Sequence, residues 1–226
     1  MKALKSFLYI IVSVVCLMTC VSCKKSYSEE FLKNSCDAPC WNGIEIGMTK
    51  DDVLRELTLE KRIEVSEKKF NDRIEYLTTS LRNRKEIITF QFKDNLLTNI
   101  NHVFMKGAQR KLDFALEKFG VPSFVLGTYS THVFTYNKVF LCYLEEGIQI
   151  ELGGEFKSES PFHNYEVNEN STVWTINYFN PSEYGQAYNS YYACLVPDKK
   201  EYISHDWHGY GKYATCDPET MDWCGE

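Results

Sequence analysis

The residues best suited to chemistry lie in "HDWHGYGKY", His205 to Tyr213. Two imidazoles three positions apart, His205 and His208, could hold a metal ion if a loop or helical turn brought both rings together. With Asp206 between them, the same residues could serve a hydrolase. A third metal ligand would have to come from His163, Glu201 or Cys216. The competing reading is a glycine-kinked aromatic loop packed across a sheet, with Trp207 and Tyr210 as its anchors. Two histidines in one loop fall short of a specific ligand set, so the expectation is no metal and no cofactor.

The other groupings are weaker. No Gly-x-Ser-x-Gly elbow is present, and Cys40, before Trp41, has no histidine near it in sequence. Glu145 and Glu146 could be a carboxylate pair, but beside Gly147 they read as an exposed turn. Gly153-Gly154 lacks the rest of a phosphate loop. Tyr184, Tyr188, Tyr191 and Tyr192 could form a ligand platform, yet their helical spacing fits a core-facing stripe better. The expected function is therefore a non-catalytic binding module. An extracytoplasmic hydrolase using the His205-Asp206-His208 loop is the alternative.

Sequence around these groups predicts where the protein lives. Lys2 and Lys5 precede "FLYIIVSVVCLM", an apolar run too short to span a membrane comfortably, and "LMTCVSCKKS" follows. Residues 1–22 read as a signal peptide and 23–35 as a polar tether. Removing Lys2 and Lys5 leaves 23 basic against 31 acidic residues, a net charge of −8. That balance disfavours unassisted nucleic-acid or anionic-lipid binding, since both need concentrated positive charge. Of nine cysteines, Cys16 and Cys20 leave with the leader. Cys36, Cys40, Cys194, Cys216 and Cys224 are disulfide candidates, with Cys216–Cys224 the first choice. Cys142, in "VFLCYL", reads instead as a free, buried apolar residue.

The elements that must position these residues follow from periodicity. In "CWNGIEIGMTKDDVLREL", Gly47 permits a turn, Thr49 caps a helix, and Val53, Leu54 and Leu57 share its inner face. "RIEYLTTS", "KEIITFQFK" and "LLTNINHVF" alternate as strands, with Asp94-Asn95 as a turn. "QRKLDFALEKFG" predicts a second helix with Leu112, Leu116 and Phe119 on its stripe, ended by Gly120 and Pro122. "HVFTYN", "VFLCYL", "IQIEL" and "TVWTINYF" predict further strands, with turns at Asn137-Lys138 and Glu145-Glu146-Gly147. The fold class is α+β, an antiparallel sheet with helices on one face. Two helix-plus-strands units are expected in tandem, 36–105 and 106–226, the second with an irregular tail.

These motifs carry a resemblance. "LMTCVSCKKS" resembles a lipoprotein signal, in which cleavage precedes a cysteine bearing diacylglycerol, with Cys23 preferred over Cys20. "GIEIGMTKDDVLREL" looks like the helix start of the BamE-like outer-membrane lipoproteins, and "LEKFGVPSFV" resembles that fold's helix end. The doubled plan is similar to the β-lactamase-inhibitor protein. "PCWNGIEIGMT", "LDFALEKFGVPSFV" and "HDWHGYG" together resemble uncharacterised bacterial lipoproteins with a Pro-Cys-Trp-x-Gly-Ile motif. The resemblance implies a fold and an address: a bacterial cell envelope protein, lipid-anchored to a membrane through Cys23 on the extracytoplasmic side. It implies a possible envelope protein or glycan as partner and attaches no activity.

Overall fold

The structure, a computed structural model, describes residues 39–59, 65–81, 85–130, 136–153, 164–183, 192–195, 197 and 201–215. All of them fall in one compact unit, Cys36–Glu226. The chain opens with a small hairpin, β1 (Cys40–Trp41) and β2 (Ile44–Glu45), turned by Asn42 and Gly43 at φ 50° and 79°. Gly47, at φ 97°, then redirects the backbone into α1 (Lys50–Leu59), where only glycine adopts the angle without strain. Thr49 caps this helix as expected. Its Oγ1 accepts from the Asp52 N–H at 3.3 Å and donates to the Asp52 carboxylate at 2.6 Å. Val53 and Leu57 are fully buried, and Leu54 is half-buried.

Three long strands follow the short β3 (Val65–Lys69): β4 (Ile74–Leu81), β5 (Glu86–Lys93) and β6 (Leu96–Phe104). After β7 (Arg110–Lys111) comes α2 (Leu112–Phe119), closed by Gly120, whose N–H bonds to the Leu116 carbonyl at 2.9 Å. Its deepest residues are Leu112 and Ala115, while Leu116 and Phe119 are only half-buried. Small Ala115 lets the helix approach closely, and the larger pair flank the contact.

The next strands are β8 (Phe124–Ser130), β9 (Tyr136–Tyr143), β10 (Ile148–Leu152), β11 (Asn164–Val167) and β12 (Thr172–Phe179), followed by β13 (Ile203–His205) and β14 (Gly211–Ala214). The turn expected at Asn137-Lys138 does not form. β9 runs straight through it, paired with β8 from Phe124↔Cys142 to Ser130↔Tyr136. Cross-strand hydrogen bonding to β8 outweighs the local turn preference of that dipeptide. The tail is also more regular than expected, because β13 and β14 both belong to it.

Ten strands form one sheet in the order β13-β8-β9-β10-β12-β6-β5-β4-β3, with β7 beside β12, and every pairing is antiparallel. This is an α+β fold dominated by its sheet. Register separates the two faces. Glu86, Ile88 and Phe90 on β5, Ile100, His102 and Phe104 on β6, and Ile176 and Tyr178 on β12 share one side. Thr89, Gln91, Asn101 and Asn177 share the other. The first side holds most of the core, and its fully buried Ile88, Phe90 and Ile100 each contribute about 1.5–3 kcal/mol by leaving water. Trp41 packs edge-on to Phe90 there, with ring centroids 5.6 Å apart. β11 and β14 form a separate two-stranded sheet, and Gly127 on β8 has no room for a side chain beneath the Ala214 carbonyl.

Candidate functional site

The loop from His205 to Tyr213 is organised around Tyr213, which is fully buried. His208 lies parallel to its ring at 4.2 Å, His205 meets it edge-on at 5.7 Å, and Trp207 stacks at 5.9 Å. The Tyr213 hydroxyl donates to the Gly209 carbonyl at 2.9 Å and accepts from the His208 N–H at 3.2 Å. Burial raises its pKa above the ordinary tyrosine value, so it stays a neutral donor. His205 Nε2 donates to the Ala214 carbonyl at 2.8 Å, which places the ring's proton on that nitrogen. Tyr210 is half exposed, and its hydroxyl bonds to Asp113 on α2. The anchor is thus Tyr213, with Trp207 beside it, and Tyr210 serves as a strap to α2.

Both imidazoles pack against Tyr213, and His208 remains exposed. Among the described residues no group of three His, Cys, Asp or Glu is placed to hold a metal ion. Of the other ligands considered, Glu201 is exposed, and His163 and Cys216 lie outside the described residues. Glu145 and Glu146 sit in the turn between β9 and β10.

Cys40 is disulfide-bonded, which removes it as a nucleophile. Cys142 is disulfide-bonded as well, to Cys194, with Cα atoms 5.5 Å apart and a sequence separation of 52. The expectation of a free Cys142 is therefore corrected. Its apolar neighbours are real, but strand alternation turns the sulfur to the Asn101 side, where the short 3-10 turn Ala193–Leu195 lies against it. That turn covers Leu126, Phe140 and Phe179, and Tyr192 stacks on Phe179 at 5.9 Å. The Cys194 N–H also donates to Gln149 Oε1 at 2.9 Å. The disulfide, the hydrogen bond to Gln149 and apolar contact together hold this turn against the sheet. Cys23, Cys36, Cys216 and Cys224 lie outside the described residues, as do Tyr184, Tyr188 and Tyr191.

A buried ionisable pair went unnoticed in the sequence. Glu86 and His102 are both essentially inaccessible, with Nε2 to Oε2 at 3.1 Å. The His102 ring lies tilted against Phe104 with centroids 4.2 Å apart, and Trp41 meets it edge-on at 6.3 Å. Burial is the main cause that depresses the His102 pKa, and the charges of Lys118 and Arg110 push the same way against the pull of Glu86. Neutral His102 donates through Nε2, and its Nδ1 has no hydrogen-bond partner among the described residues. The available signal was parity, since Glu86 and His102 occupy core positions of their strands.

The remaining surface is the Asn101 side of β4, β5, β6 and β12. Tyr76, Thr78, Thr89, Gln91 and Asn101 are all partly accessible there, and none is charged. Their spacing is braced from within. Thr78 and Thr89 hydroxyls lie 3.4 Å apart, Asn101 Nδ2 donates to Asn177 Oδ1, and Asn99 Nδ2 donates to the Tyr178 carbonyl at 3.0 Å. Such a surface offers preset donors and acceptors on a rigid sheet. No family model, curated protein or solved structure matches this chain.

Proposed function

We propose that this protein is a lipoprotein, anchored through Cys23 on the extracytoplasmic side of a bacterial membrane, whose folded unit binds another protein or an envelope component without catalysis. The observation that carries the binding reading is the row of uncharged hydrogen-bonding side chains at Tyr76, Thr78, Thr89, Gln91 and Asn101. Amides and hydroxyls on a rigid sheet suit the backbone groups of a protein or the hydroxyls of a glycan. The Cys142–Cys194 bond supports the compartment, because disulfides persist where thiols are not kept reduced. The leader and its cysteine support the anchor.

The finer plan belongs to the same reading: two helix-plus-strands units, 36–105 and 106–226, with both helices on the His102 side. Lys50 of α1 bonds to Glu67 and Glu75, and Phe119 of α2 meets Tyr143 at 5.8 Å. Register puts Glu67, Glu75 and Tyr143 on that side, which leaves the Asn101 side of β4, β5 and β6 for contact. For the hydrolase alternative, the stacking of His208 and the His205–Ala214 bond favour a packing role over turnover.

The test is crosslinking of the full-length protein in its own envelope, followed by identification of what it retains. Wild type should keep a discrete partner that Tyr76→Ala with Gln91→Ala loses, while thermal unfolding stays unchanged. A substrate turnover that vanishes with His205→Ala and survives Tyr76→Ala would overturn the binding reading.

A further inference from the structure

One end of the sheet exposes apolar side chains that the core does not use. Phe70, in the turn between β3 and β4, is 69% exposed, and Leu96, just past the turn between β5 and β6, is 48% exposed. Single exposed apolar residues need no explanation. These two are different because their turns are braced together. Arg73 forks onto Asp94 at 2.8 and 2.6 Å, and the Asp94 N–H donates to the Arg73 carbonyl at 2.9 Å. Phe70 and Leu96 therefore project from one rigid tip.

Charge at the tip is positive only through Lys68 and Lys93, because Arg73 is paired with Asp94, Lys69 with Asp72, and Glu67 and Glu75 with Lys50, while the whole chain carries −6. The chain also enters its compact unit at this end. The Ile46 N–H donates to the Pro39 carbonyl at 3.3 Å, and the Gly47 N–H donates to the Leu97 carbonyl at 2.7 Å, next to Leu96. Residues 24–38 separate Cys23 from Pro39, a reach of at most about 55 Å when fully extended.

We propose that this tip rests on an anionic lipid surface, with Phe70 and Leu96 entering the headgroup region and Lys68 and Lys93 facing lipid phosphates. The proposal rests on the lipid-anchor reading above. Apolar side chains flanked by lysines suit an interfacial contact, since burial supplies one part of the attraction and the surface potential the other. The β9–β10 turn opens at the same end but carries Glu145 and Glu146, which confines the contact to the β3–β6 side of the sheet.

The experiment places a benzophenone amino acid at position 70, 96 or 210 of the full-length protein, irradiates intact cells, and reads adducts by mass spectrometry. Lipid-precursor labelling of Cys23 is followed in the same cells. Lipid adducts are expected at 70 and 96 and not at 210, where Tyr210 is exposed but distant from the tip in chain order and in its contact with α2. Labelled protein without lipid adducts at 70 and 96 overturns the inference and leaves the anchor standing. Protein adducts at those positions also overturn it and assign the tip to a partner. Lipid adducts on unlabelled protein uphold the tip contact and overturn the anchor reading alone.

Discussion

His102 is a core residue whose proton affinity burial has changed. It is buried beside Glu86, and burial holds its pKa below the ordinary 6.5. The unfolded chain therefore binds a proton at mildly acidic pH that the folded protein refuses, and stability must fall with pH from about 6.5 downward. Glu86, Arg110 and Lys118 are the charged groups around the ring, and the two cations reinforce the effect. Comparing denaturant unfolding at pH 7 and pH 5 checks this. Wild type should lose more stability on acidification than His102→Gln, which keeps a hydrogen bond to Glu86 without titrating. An equal loss in both would assign the acid sensitivity elsewhere.

Among the elements, the turn Ala193–Leu195 is held in place by a covalent bond. It has too few residues to dock by its own apolar area, and Cys142–Cys194 fixes it over Leu126, Phe140 and Phe179. Closing a loop of this size contributes about 2–4 kcal/mol, chiefly by restricting the unfolded chain. Cys142→Ala with Cys194→Ala should lower unfolding free energy by about that amount. It should also raise hydrogen exchange at Cys194, whose N–H now donates to Gln149. Full retention of stability would mean that apolar contact alone seats the turn. The helices need no such device, since Thr49 starts α1 and Gly120 ends α2 through local hydrogen bonds.

At the scale of the molecule, the two binding proposals adjoin: the neutral row on the Asn101 side runs into the apolar tip, because Tyr76 pairs with Lys68 and Gln91 precedes Lys93 by two residues. Both presuppose an address outside the cytoplasm. Metabolic labelling with a lipid precursor should fail for Cys23→Ala. Labelling that persists would move the anchor to Cys20, and unlabelled wild type would leave a secreted protein.

Local chemistry was legible in the sequence. Thr49, Gly47, Asp94-Asn95 and Gly120 act within a few residues of themselves, and the alternation of Ile88, Phe90 and Phe92 needs no partner to be recognised. What depends on neighbours distant in the chain was not. Asn137-Lys138 has turn composition but lies opposite β8, so ladder hydrogen bonds decide it. Cys142 has an apolar neighbourhood but faces Cys194 across 52 positions, and Glu86 meets His102 only because register sets their strands side by side. The histidines of "HDWHGYG" look reactive as a string, and Tyr213 makes them packing residues. Strand pairing and burial are set by the whole chain at once, so only the tertiary structure could assign these partners.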